Sequence, residues 1–114
     1  MPKQLLPALR ERNRYIAFEV ISDSDIGRED VVKAIWSSVL RFLGELNASR
    51  TSLWVMDWND EKREGILKVN HKSVDEVKAA LALVKEIDGK RVIFHILGIS
   101  GTIKKTRERY LKKK

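Results

Sequence analysis

Apolar and polar residues alternate along positions 14–22, the period of an extended strand. Ile16, Phe18 and Val20 share one face; Tyr15, Ala17, Glu19 and Ile21 share the other, which Glu19 marks as the wetter. Residues 22–27, Ser-Asp-Ser-Asp-Ile-Gly, are turn chemistry that can also cap a helix. From 28 to 46 the period lengthens to that of a helix, with Val32, Ile35, Val39, Phe42 and Leu46 as its stripe. Val31, Trp36, Leu40 and Leu43 widen that stripe beyond one core contact, so either the helix sits deep or its second apolar edge meets a partner. Gly44 and Asn47 are expected to end the helix.

Residues 52–58 and 64–70 read as a hairpin around the polar turn 59–63. Ser73 and Glu76 have the spacing of a capping box, which opens a predicted helix to Ile87 with Asp88-Gly89 as its stop. Residues 91–99 form a further strand, and 102–113 a terminal helix. The order β-α-β-β-α-β predicts an α+β fold, a ferredoxin-like or RNA-recognition-like sandwich. Its four-stranded antiparallel sheet would carry helices on one face, with a basic C-terminal helix added. The expected organisation is a basic arm (1–13), a core domain (14–100) and a basic C-terminal helix or tail (101–114).

A chain of 114 residues allows one compact core. It has no cysteine, which excludes disulfides and thiolate chemistry and suits a reducing cytoplasm. The first residues, broken by Pro2 and Pro7, do not read as a signal peptide, and no segment is long and apolar enough to span a membrane.

Charge changes the picture more. The net charge is +7 and sits at the ends. Residues 1–14 hold Lys3, Arg10, Arg12 and Arg14 against Glu11. Residues 101–114 hold Lys104, Lys105, Arg107, Arg109, Lys112, Lys113 and Lys114 against Glu108, while the stretch between is slightly acidic. That asymmetry points to a polyanionic partner. Ser100, Gly101 and Thr102 precede the terminal helix, where free backbone N–H groups bind phosphate, and Lys104 and Lys105 add charge. The RNA-binding candidates are therefore Arg10, Arg12, Arg14, Ser100, Gly101, Thr102, Lys104, Lys105, Arg107 and Arg109.

No catalytic grouping is visible. His71 and His95 stand without a serine–carboxylate partner, and no phosphate-binding glycine loop occurs. Asp57, Asp60 and Glu61 read as solvated turn residues, not a metal site. The positions that would carry base-stacking aromatics in an RNA-recognition domain hold Ile66 and Lys68, so that platform is expected to be absent or degraded. Trp54, Met56 and Trp58 alternate along one strand. If they face outward they form, with Trp36 and Leu40, a protein-interface patch.

Several stretches together resemble archaeal ribonuclease P protein component 2, the counterpart of a eukaryotic ribonuclease P and MRP subunit. They are Arg14 to Ser22, Ile35-Trp36, Leu40-Arg41-Phe42-Leu43-Gly44-Glu45-Leu46, Gly65-Ile66-Leu67, Ala80 to Leu83, and Leu97-Gly98-Ile99-Ser100-Gly101-Thr102-Ile103-Lys104. The likeness runs over nearly the whole chain and departs at Gly27, where a serine cap is expected. It implies a non-catalytic subunit of ribonuclease P, which removes the 5′ leader of precursor tRNA on its RNA subunit. It further implies partnership with that RNA and with protein component 3, self-association into a heterotetramer, and only indirect contact with precursor tRNA. No cofactor is expected on the chain, since the magnesium belongs to the RNA. Two rival readings stand beside it: a general structured-RNA or ribosome-associated binding module, and a small-molecule-sensing ferredoxin-like domain.

Overall fold

The computed structural model describes residues 12–111. The elements are β1 (Asn13–Ser22), α1 (Arg28–Ser49), β2 (Trp54–Asn59), β3 (Glu64–Asn70), α2 (Val74–Ala82), β4 (Glu86–Ile87), β5 (Lys90–Ser100) and α3 (Ile103–Tyr110). The fold is α+β. Its antiparallel sheet has five strands in the order β2-β3-β1-β5-β4, one more than the sequence predicts.

The fifth strand is β4. Asp88 and Gly89 both have positive φ (54° and 81°), and Ile87 pairs Lys90 across them. They are the two-residue tip of a hairpin of the kind that Asp-Gly favours, not the stop of a helix. Pairing of Glu86 with Arg91 draws that segment out of α2, which ends at Ala82. The predicted capping box does not form either. Ser73 is buried and makes no cap bond, and Asn70 instead caps a short 3₁₀ turn (His71–Ser73) by accepting the Lys72 N–H at 2.8 Å.

Helices α1 and α2 cover the inner face of the sheet. Alternation puts Ile16, Phe18 and Val20 of β1, Leu67 and Val69 of β3, and Val92 and Phe94 of β5 on that face, against Val31, Ile35 and Val39 of α1 and Val77, Ala80 and Leu81 of α2. Phe18 stacks between Trp58 and Phe94, with ring centroids 6.1 and 5.7 Å away. The predicted α1 stripe is correct as far as Val39 but fails beyond it: Phe42 and Leu46 are 48% and 65% exposed. Gly44, at φ 82°, breaks the helix, and the rotated last turn buries Ala48 instead.

The third helix lies on the opposite face of the sheet. Ala17 of β1 and Ile66 of β3 pair with each other, are fully buried, and lie on the outer face beneath α3. Thr106 of α3 is fully buried too, and its hydroxyl donates to the Thr102 carbonyl at 2.7 Å. A second, smaller core thus sits on the outer face, and α3 is an integral layer of the domain.

Candidate nucleic-acid interface

The basic helix is held against the sheet at three places. Thr106 is buried, Tyr110 packs on Gly98, and Arg107 makes a two-point ion pair with Asp57 of β2, Nε to Oδ2 at 2.7 Å and Nη2 to Oδ1 at 3.0 Å. Asp57 raises the Arg107 pKa, first through that hydrogen bond and then through the attraction of opposite charges. Arg107 is thus committed to the protein, whereas the sequence reading left it free for RNA. Gly98 likewise serves packing, since the Tyr110 ring fills the place of its side chain.

What α3 leaves available is its first turn. Thr102 caps the helix, its hydroxyl accepting the Lys105 N–H at 3.2 Å, and the Thr106 N–H is the first to reach a helical carbonyl, that of Thr102. The N–H groups of Ile103 and Lys104 precede that first bond and have no helical acceptor. Lys104, Lys105 and Arg109 are exposed, as are Gly101 and Thr102. The first turn holds no acidic residue. Cations at a helix start oppose the helix dipole at a cost of a few tenths of a kcal/mol each. The sheet contacts of Thr106 and Tyr110 offset this and leave a positive end suited to an anion. Ser100 is buried, so only its backbone can take part.

Of the N-terminal candidates, Arg10 lies outside the described residues. Arg12 is exposed, and its carbonyl accepts the His71 N–H at 2.8 Å. Arg14 is half-buried, with its guanidinium on the Asn13 carbonyl at 3.0 Å. Arg12 and Arg14 flank the start of β1, at the same end of the sheet as Ser100, which lies opposite Tyr15.

The expected aromatic patch is split. A β-bulge between Val55 and Asp57 removes Met56 from the ladder, so Val55 pairs Leu67 and Asp57 pairs Ile66. Trp58 is thereby turned to the inner face, where it stacks on Phe18 and its indole N–H donates to Asp60 at 2.6 Å. Trp54 stays on the outer face, 62% exposed, and Met56 stands exposed at the bulge. Strict alternation would have kept all three together, and a bulge leaves no fixed mark in sequence. Trp36 is half-buried against the core and Leu40 is exposed one turn later, on the flank of α1 turned away from the Ser38 hydroxyl bond to α2. On the other flank, Phe42 and Leu83 line an open cleft of about 690 Å³.

His95 Nδ1 lies 2.9 Å from Glu19 on the exposed sheet face, and Asp57 and Asp60 are engaged as above. Among the described residues, no cluster of three potential metal ligands occurs and no helix is long and apolar enough to cross a membrane.

The fold and the site define a small α+β domain with a basic helix locked on the outer face of its sheet. Its relatives show the family. The profile of the Rpp14/Pop5 family matches residues 14–111, and the chain belongs to that family. Ribonuclease P protein component 2 of Thermococcus kodakarensis is 41% identical over 96% of this chain and 92% of its own length. That of Methanosarcina acetivorans is 44% identical over 96% and 82%. Among solved structures, a chain in yeast ribonuclease MRP has the same fold at 14% identity, with a TM-score of 0.68 over 88% of this chain and 79% of that one.

Proposed function

We propose that this chain is a non-catalytic protein subunit of ribonuclease P, which binds and stabilises the catalytic RNA for removal of the 5′ leader of precursor tRNA. The relatives' shared name supports the complex. The docked first turn of α3, with Lys104 and Lys105 beside Gly101 and Thr102, is the observation that carries the RNA contact. Rigid cations neutralise phosphates without ordering a loose tail on binding. A protein that binds the folded RNA better than its competitors shifts the RNA toward the active fold.

The subunit would work in the cytoplasm without a cofactor of its own, the magnesium ions lying on the RNA. Precursor tRNA would be met indirectly. Exposed apolar residues on both flanks of α1, Leu40 beside the half-buried Trp36 on one and Phe42 with Leu83 on the other, support protein partners on the helical layer. Protein component 3 and a second copy of this chain, in a heterotetramer, are the partners proposed.

The test is direct binding to ribonuclease P RNA over a salt series. Contact with about five to seven phosphates gives a log–log slope of roughly −3 to −6. Affinity independent of salt would refute the RNA-binding reading.

A further inference from the structure

Helix α3 covers the middle of the outer sheet face and leaves one row of it open. Strand register sets Trp54 of β2 opposite Lys68 of β3, Lys68 opposite Tyr15 of β1, and Tyr15 opposite Ser100 of β5. Directly opposed residues share a face. It is the α3 face, since Ala17 and Ile66, two residues from Tyr15 and Lys68, are buried beneath that helix. The row therefore runs Trp54, Lys68, Tyr15, Ser100 and continues through Gly101 into the first turn of α3, with Lys104 and Lys105.

The composition of this row is specific. An exposed indole and a half-buried phenol flank one ammonium, and the row holds no carboxylate. The next pair outward, Asn13 and Asn70, is uncharged, and Arg12, His71 and Lys72 follow it. The acidic residues of the sheet's outer face are elsewhere: Asp57 is engaged by Arg107, Glu19 by His95, Glu64 lies opposite Glu19 in register further along β3, and Glu86 lies opposite Arg91 at the β4 edge. Strands lie about 4.8 Å apart, so the two rings stand about 10 Å from one another with Lys68 between them. A purely apolar partner would gain nothing from that ammonium, and an acidic peptide would gain little from the exposed indole. A ligand with planar apolar faces joined by anions uses both. Unpaired RNA is such a ligand, whereas a duplex hides its base faces.

We infer that the Trp54–Lys68–Tyr15 row is a stacking site for unpaired nucleotides of RNA, continuous with the phosphate-binding turn of α3. The inference rests on the RNA-binding reading above. It also gives Trp54 a nucleotide partner where the sequence suggested a protein one.

The experiment titrates the full chain with a short oligouridylate and with an abasic ribose-phosphate oligomer of equal length and charge. The wild type should bind the base-bearing probe about tenfold more tightly, with quenching of tryptophan fluorescence. Trp54→Ala should remove that preference while leaving abasic binding and the melting temperature unchanged. Trp54→Phe should keep most of the preference but lose the quench. Lys68→Ala should weaken both probes alike and reduce the salt slope by about 0.7. If Trp54→Ala keeps the full preference, or the wild type binds both probes equally, the stacking site is wrong and the RNA-binding reading survives. If the wild type binds neither probe nor ribonuclease P RNA, both fall. Unaltered RNA preference in Trp54→Ala together with lost association with a protein partner overturns the inference in favour of a protein contact.

Discussion

The Tyr110 ring lies against the backbone of Gly98 so closely that a Cβ there would overlap its Cζ and Cε1. This contact and the burial of Thr106 turn a basic segment into a fixed layer of the domain. Its charge is presented from a defined place on the sheet.

Gly98→Val should therefore displace Tyr110 and loosen α3. Overpacking of this kind costs about 1–3 kcal/mol, readable as a lower urea midpoint. Gly101→Ala, whose Cβ meets nothing within 4 Å, should leave stability within about 0.5 kcal/mol of wild type. Equal effects of the two substitutions would refute the packing role given to Gly98.

The two tryptophans of β2 should separate in the same way. Trp58→Ala removes a ring stacked on Phe18 and should cost about 2–4 kcal/mol. Trp54→Ala removes an exposed ring and should cost about 0.5 kcal/mol or less. Chemical denaturation of both variants tests the bulge at Met56, because an unbroken strand would make the two alike.

Asp57→Asn should release Arg107. An exposed ion pair is worth at most about 1 kcal/mol, so the protein should stay folded while its RNA affinity at low salt rises a few-fold. A fall in affinity would mean that the pair positions Arg107 for RNA. Asp57 raises the Arg107 pKa, so on the alkaline side the stability this pair adds is present below the unfolded value and is lost as pH rises through the raised one. Docking of α3 should accordingly be unaffected by pH between neutrality and mild alkali, as near-ultraviolet circular dichroism of Tyr110 would report.

Much of this was legible in the sequence. The alternation of Ile16, Phe18 and Val20 and the Ile35–Val39 repeat name the inner core, and the clustered cations of the C-terminal segment name the basic helix. Three features were not legible, each for a physical reason. Asp88-Gly89 serves equally well as a helix stop and a hairpin tip, and only pairing with β5 decides between them. The bulge at Met56 inverts the faces of all that follows it in β2. The row of Trp54, Lys68 and Tyr15 comes from three strands far apart in sequence, so it exists only once register is set. The burial of Ala17 held a clue: a small apolar residue on the wetter face of β1 is where α3 lands.

The most direct test of the central claim is precursor-tRNA cleavage by ribonuclease P RNA reconstituted with its protein components at limiting magnesium, using Lys104→Ala/Lys105→Ala/Arg109→Ala. This variant keeps Thr106, Arg107 and Tyr110, which hold the helix in place. Cleavage should fall well below that with the wild-type chain and recover as magnesium is raised, because added cations replace the lost neutralisation of phosphate. Undiminished cleavage at limiting magnesium would contradict the claim that α3 acts by binding RNA.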